Sequence, residues 1–151
     1  MEPRLDLTKV NPAAHKALLA LNAYVENCGL EKSLLELVKT RASQINGCAF
    51  CLHMHSKDAM AHGENPIRLV LLSGWRESPA FTPRERAAMA WTESLTKIAE
   101  TQAPDEDYAL AAQHFTPDEL VNLSIAIAMI NTWNRLAIGF RGVHPPLEKA
   151  A

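Results

Sequence analysis

Four times along the chain, a residue that caps helices is followed directly by proline, and this pairing constrains the fold more than any other feature. Asparagine and threonine accept hydrogen bonds from the exposed N–H groups of a first helical turn, and proline is favoured at the first helical position. Two of the four sites also carry glutamate three residues after the threonine, which completes a capping box. The predicted helix starts are Asn11-Pro12, Asn65-Pro66, Thr82-Pro83 and Thr116-Pro117.

Apolar residues after these starts recur at helical spacing. One helix is predicted from about Glu31 to Ile45 and the next from near Cys48 to Gly63. The dipeptide Asn46-Gly47 between them predicts a tight turn, and therefore an antiparallel helix hairpin. The most apolar stretch of the chain, Leu120 to Ile138, follows a capping box, which favours a buried helix.

No segment shows convincing strand alternation, and no linker divides the chain. The sequence therefore predicts an all-α helical bundle that forms a single domain over residues 1–151. Hydrophobic residues make up 48% of the chain and charged residues 21%, which is typical of a globular domain. A chain of 151 residues can bury a core without metal or disulfide staples.

Charge and targeting signals narrow the possible function classes. The net charge of −2 argues against a general nucleic-acid binder. No apolar run is long enough to span a bilayer, and no signal peptide is visible, so we expect a cytoplasmic protein without membrane contact. Three cysteines, an odd number, argue against a secreted disulfide scaffold.

Two cysteines separated by two residues, Cys48 and Cys51, stand at a predicted helix start. The exposed N–H groups and the positive end of the helix dipole favour the thiolate there. At about 100° per residue, these cysteines and His55 share one helix face, one turn separating Cys51 from His55. An imidazole in that position can take or return a thiol proton. His53 is expected to face elsewhere, and His62 to lie too far along the helix.

Glu36 precedes Cys48 by twelve residues, on the helix before the turn. If the two helices form a hairpin, Glu36 and His55 lie at a similar depth along it, roughly 12–16 Å from the turn. A carboxylate beside the imidazole would raise its basicity and hold one tautomer. A glutamate on the apolar side of a hairpin needs such a partner, so we predict that the two side chains are paired and buried.

Other interpretations of the same residues stay open at this level. A zinc site would use Cys48, Cys51 and His55, with Glu36 or His53 as the fourth ligand. Inert cysteines in a helical assembly protein are a further possibility. Haem attachment is not expected, because Leu52 stands where a histidine would be needed. Cys28 has no partner nearby in sequence and is expected to be a buried thiol.

The run from Ser43 to Cys51, with Glu36 before it and His55 after it, resembles the AhpD-like alkylhydroperoxidase branch of the carboxymuconolactone decarboxylase superfamily. The stretches Gly74–Ser78 and Phe81–Ala88 resemble that branch as well. The resemblance implies an all-helical AhpD-like fold with the cysteine motif on a helix hairpin. It also implies a homo-oligomer, usually a trimer or a hexamer.

The resemblance further implies a role for each matched residue. Cys51 corresponds to the cysteine that attacks the peroxide and Cys48 to the one that resolves the product to a disulfide. His55 and Glu36 correspond to members of the proton relay, whereas Phe50 stands where the characterised peroxidase has a second histidine. The predicted function is therefore a thiol-dependent peroxidase without bound cofactor or metal. An external dithiol or a lipoyl-type protein partner is expected to reduce it.

Overall fold

A computed structural model describes residues 2–147, so Met1 and residues 148–151, the ends of the predicted domain, lie outside the described range. Every regular element in residues 2–147 is helical, which confirms the predicted all-α fold class. The helices are α1 (Leu7–Val10), α2 (Pro12–Glu26), α3 (Lys32–Asn46), α4 (Ala49–Ala61), α5 (Pro66–Leu71), α6 (Pro83–Thr96), α7 (Ile98–Thr101), α8 (Asp105–His114) and α9 (Pro117–Gly139). A short 3₁₀ helix, Leu72–Gly74, follows α5.

All four predicted helix starts carry their caps. At Asn11 and Asn65 the side-chain oxygen accepts a backbone N–H of the first turn, at 3.1 and 2.9 Å. At α6 the Thr82 hydroxyl accepts the Glu85 N–H at 3.2 Å, while the Glu85 carboxylate accepts the Thr82 N–H at 2.8 Å. The same reciprocal pair opens α9, so local sequence sets where these helices begin.

The structure departs from the sequence prediction at the short elements. The four-residue helices α1 and α7 were not predicted, because one turn is too short to carry an apolar period. Helix α2 ends at Glu26, and Gly29 makes the following turn with φ of 92°. Cys28 therefore lies in that turn and is only half-buried, so the prediction of a buried thiol is wrong in degree.

Helices α3, α6 and α9 pack against one another and form the centre of the molecule. The main core gathers fully buried side chains from all three helices: Leu35 and Val38 from α3, Met89 from α6, and Leu123 and Ile127 from α9. Although α9 has 23 residues, no helix within residues 2–147 is long and apolar enough to cross a membrane.

The helix hairpin predicted around Asn46-Gly47 is present. Helix α3 ends at Asn46, and Gly47 adopts φ of 69°, in the left-handed region that favours glycine at a helix C-terminus. Helix α4 then packs back along α3, and both contact α9. The hairpin therefore holds the first turn of α4, which carries the cysteines, against α9.

Candidate active site

The cysteine pair lies at the junction of α3, α4 and α9. Cys48 is the N-cap of α4, with an extended backbone, and its sulfur accepts the Cys51 N–H at 3.4 Å. Both cysteines are free thiols and are buried. They pack with Ala42 of α3 and Ile130 of α9 in a small apolar cluster of their own. The predicted position of the motif at a helix start is therefore the one observed.

A row of amides supports this cluster from α9. Asn134 is fully buried, and its amide donates to the Ser43 hydroxyl at 3.0 Å. Its side chain also favours the negative charge on both cysteines, which by itself lowers the pKa of each. Asn46 in turn donates to Asn134 at 2.8 Å. Sequence reasoning missed this role of Asn134, because the residue lies more than 80 positions from the cysteines, with no local pattern linking the two segments.

The two thiols do not share their negative charge equally. The hydrogen bond from the Cys51 side chain lowers the pKa of Cys48 to about 7, helped by the Cys51 N–H and by Asn134 against the effect of burial. The same hydrogen bond and burial raise the pKa of Cys51 above its ordinary value. Near neutral pH, the first negative charge of the reduced pair therefore lies on Cys48, where the helix N-terminus favours it.

Glu36 and His55 meet across the hairpin as predicted. Glu36 is 6% exposed and His55 is 7% exposed, and the Glu36 Oε2 atom lies 2.9 Å from His55 Nδ1. Because the carboxylate can only accept at this distance, Nδ1 carries the proton and Nε2 is left as the basic nitrogen. His55 follows Cys51 by one turn of α4. A neutral imidazole in this position can act as a base.

Two charged residues that sequence reasoning missed, Lys39 and Glu26, extend the Glu36–His55 pair into a chain of ion pairs. Lys39 is only 5% exposed, and its ammonium group donates to Glu36 Oε1 at 3.0 Å and also to Glu26 on α2. Burial would raise the pKa of Glu36, but the His55 hydrogen bond and the charge of Lys39 outweigh it and hold the pKa below its usual range. The three-residue spacing of Glu36 and Lys39 was a readable signal, because such pairs are neighbours on a helix.

The structure does not bring the ligand atoms of the alternative zinc site close enough together to share a metal ion. In residues 2–147, the one group of His, Cys, Asp and Glu ligand atoms close enough to share a metal is Glu36, His55 and Asp58, which contains no sulfur. Lys39 already places a positive charge on Glu36. His53 faces away as predicted and stacks on His144, with 5.0 Å between the ring centroids.

A cleft of about 380 Å³ opens beside the motif. Cys48 lines this cleft, whereas Cys51 does not. Its charged lining residues are Arg4 and Arg141, and Phe50 contributes an aromatic wall. A second cleft of about 450 Å³ shares Phe50 and is otherwise mostly apolar, with Trp133 among its lining residues. Phe50 thus lies between a cleft with cationic lining residues and a mostly apolar groove.

Comparison with known proteins agrees with this arrangement. A sequence model of the carboxymuconolactone decarboxylase family matches residues 12–94, which include both cysteines of the motif, Glu36 and His55. The uncharacterised protein YdfG of Bacillus subtilis is 35% identical over 138 residues, which cover 91% of this chain and 94% of that protein.

Two solved structures share the fold. One is a protein of unknown function from Agrobacterium tumefaciens, described as a candidate antioxidant defence protein AhpD, with a TM-score of 0.94 and 46% identity over 97% of this chain and 100% of that one. The other is the debrominase Bmp8, with a TM-score of 0.78 and 17% identity over 89% of this chain and 73% of that one. Since Bmp8 shows the fold alone, the reaction has to be argued from the site.

Proposed function

Because the chain belongs to the carboxymuconolactone decarboxylase family, in its AhpD-like branch, we propose that it is a thiol peroxidase whose Cys48 and Cys51 reduce an organic hydroperoxide. The family and the cysteine spacing support a peroxidase-like antioxidant role. The observation that carries the finer proposal is the buried hydrogen bond between Glu36 and His55, because it fixes a base one turn from Cys51.

The reduced pair begins with one proton on its two sulfurs. Cys48 is the thiolate, and the Cys51 thiol donates its hydrogen bond to it. Only a thiolate attacks a peroxide efficiently, so Cys51 must first lose its proton. His55 Nε2 is the acceptor, and Glu36 stabilises the imidazolium that forms.

The Cys51 thiolate then attacks the terminal oxygen of the hydroperoxide. A sulfur–oxygen bond forms and the oxygen–oxygen bond breaks, so Cys51 becomes a sulfenic acid and the peroxide is reduced by two electrons. The departing alkoxide takes the proton held by His55 and leaves as an alcohol. Since Phe50 replaces the second relay histidine, His55 alone serves both proton steps.

Cys48 completes the oxidative half of the cycle. Its pKa, lowered to about 7, makes its thiolate available near neutral pH. This thiolate attacks the Cys51 sulfenic sulfur and forms the disulfide. The hydroxide released from sulfur takes one proton from solvent and leaves as water, so the two sulfurs together have given up two electrons.

An external dithiol, either free or as a lipoyl group on a protein partner, returns the disulfide to the thiols. Its thiolate enters the cleft and attacks Cys48, expelling Cys51 as a thiolate. Its second thiol then releases Cys48 and leaves as a cyclic disulfide, and the proton of that thiol passes through His55 to Cys51. The guanidinium groups of Arg4 and Arg141 favour an anionic attacking group. The apolar groove beyond Phe50 suits the alkyl part of a hydroperoxide.

Trapping the sulfenic acid tests this assignment of the two sulfurs. After peroxide treatment, Cys48→Ser should carry a sulfenic acid on Cys51 that a dimedone-type reagent captures, and Cys51→Ser should lose peroxide turnover. The matched control is Cys28→Ser, which should retain full turnover. A sulfenic acid on Cys48 in the Cys51→Ser variant, with turnover retained, would reverse the roles, and absence of turnover in the wild type with any dithiol would reject the function.

We expect the protein to act as a homo-trimer or homo-hexamer in the cytoplasm. In the isolated chain, large apolar side chains are exposed on α2 and α9, among them Leu19, Tyr24 and Val121. A contact with further copies would cover such surface. Light scattering at micromolar concentration is the measurement, and a particle of 16.7 kDa, the mass of one chain, would contradict the oligomer.

A further inference from the structure

A row of alternating charges crosses three helices and ends at the imidazole of the site. Glu26 of α2 pairs with Lys39 of α3, Lys39 with Glu36, and Glu36 with His55 of α4. The Lys39–Glu36 and Glu36–His55 distances are 3.0 and 2.9 Å. Only Glu26 reaches solvent appreciably, with 34% of its side chain exposed.

The burial of Lys39 is the unusual feature of this row. A lysine is almost never fully buried unless it is paired, because the ammonium group loses its hydration. Neighbouring positions of α3 hold fully buried apolar residues, Leu35, Val38 and Ala42. A methionine at position 39 would meet the packing demand of this face at lower cost in desolvation. The ammonium group therefore has an electrostatic rather than a packing explanation.

The proposal rests on the function argued above, in which His55 takes and returns protons. We propose that Lys39 and Glu26 are positioning residues that set the proton affinity of His55 through Glu36. With His55 neutral, the other three groups of the row have a net charge of −1. Lys39 offsets the carboxylate that attracts a proton to His55, and Glu26 offsets Lys39 in turn. The imidazole is thereby kept a base that both gains and releases a proton, instead of a permanent imidazolium.

Other charged groups around the pair do not account for this balance. Asp58 of α4 lies beside Glu36 and His55 but is exposed, so water screens its charge. The neighbouring helices α5 and α9 carry Arg68 and Arg135. Arg68 is paired with Glu64 and Glu85, and Arg135 hydrogen-bonds Asn131.

The row predicts effects of opposite sign for substitutions of Lys39 and of Glu26. Lys39→Met removes the positive charge between Glu26 and Glu36 and leaves both carboxylates uncompensated. The imidazolium of His55 is then favoured, and its titration should move upward by about one pH unit. Glu26→Gln keeps the hydrogen bond to Lys39 but removes a negative charge, and the titration should move downward by about half a pH unit. The double variant restores the net charge of the row, so its titration should return part of the way to that of the wild type.

The experiment reads His55 directly by NMR titration of its ring resonances, identified by their loss in His55→Asn. The pH profile of thiol alkylation, recorded on the same variants, should move in the same directions. Lys57→Met and Glu77→Gln, which remove exposed charges, are the matched controls and should leave both measurements near the wild-type values.

Thermal unfolding of each variant separates a loss of fold from a change in titration. If Lys39→Met unfolds, Glu26→Gln alone still tests the sign of the effect. Equal titrations in the wild type and Glu26→Gln, or shifts of the same sign in both single variants, would overturn the proposal. Because NMR does not depend on turnover, shifts as expected in a protein without peroxidase activity would reject the proposed function and leave the role of the row standing.

Discussion

Helix α3 takes part in two carboxylate clusters of different design, one buried and one partly buried. On one side Glu36 pairs with Lys39 and His55. On another side of α3, Arg41 donates to Glu93 of α6. Glu93 also accepts hydrogen bonds from Trp75, at 2.9 Å, and from Arg76. In both clusters, protein donors hold the pKa of the glutamate below its usual range against the effect of burial.

The difference lies in the donors. Every donor to Glu93 keeps its proton at all physiological pH values, because guanidinium and indole groups do not titrate there. One donor to Glu36 is an imidazole, a group that can gain and lose a proton, and it is one turn from a thiol. Burial and a lowered pKa are therefore common to a structural ion pair and a candidate relay, and the presence of a titrating partner distinguishes them.

The largest predicted effect that tests this comparison concerns the rate of thiol oxidation. Glu36→Gln keeps the side-chain shape but removes the charge that stabilises the imidazolium. We expect thiol oxidation and peroxide turnover to slow by roughly 10–100-fold, the range for a lost acid–base partner, with the fold intact. The measurement is the pH profile of Cys51 alkylation and of turnover; superimposable wild-type and variant profiles would make Glu36 a structural residue like Glu93.

The second effect is expected on stability at the other cluster. Glu93→Gln leaves the guanidinium of Arg41, which is 15% exposed, without its counter-charge. We expect a loss of about 2–3 kcal/mol in the free energy of unfolding, because breaking a largely buried ion pair leaves an uncompensated charge. Denaturant unfolding measures this loss. The turnover of the folded variant should stay within about twofold of the wild type, and a large loss of turnover would end the distinction between the clusters.

The smallest effect concerns pH and stability. Both carboxylates have a folded-state pKa below the ordinary value of 4.5. They therefore contribute stability above that pH, and the contribution is lost as pH falls through the lowered folded-state pKa values. Acid unfolding of Glu36→Gln and Glu93→Gln should each be less steep than that of the wild type in this window. A variant as steep as the wild type would show that its carboxylate has no net effect.

Much of the fold could be predicted because its signals are local. Each capping residue lies within three positions of the N–H groups it satisfies, and the turn at Gly47 needs one residue that tolerates positive φ. The contact between Glu36 and His55 was also predictable, since helical geometry and one turn were enough to place both at the same depth. The proposed chemical roles of Cys48, Cys51, His55 and Glu36 stay predictions.

Contacts between distant segments could not be predicted in the same way. Asn134 of α9 hydrogen-bonds Ser43 of α3, and Glu26 of α2 pairs with Lys39. Nothing near these residues in sequence indicates their partners. Helix–helix packing decides such contacts, and many registers of α9 against the hairpin satisfy the same apolar pattern. Lys39 differs, because its spacing from Glu36 was visible but an ammonium group on a buried face is rare.

The N-cap position of the Cys48 sulfur has a consequence for the reduction potential of the pair. The Cys51 N–H and the Asn134 amide stabilise the reduced form by holding its negative charge, and a disulfide has no such charge to offer them. Whatever stabilises the thiolate makes the dithiol form more favourable and the disulfide a stronger oxidant. The same contact that prepares Cys48 to close the disulfide therefore makes that disulfide easier to reopen, which suits the proposed cycle, in which the pair returns to its reduced state after every turnover.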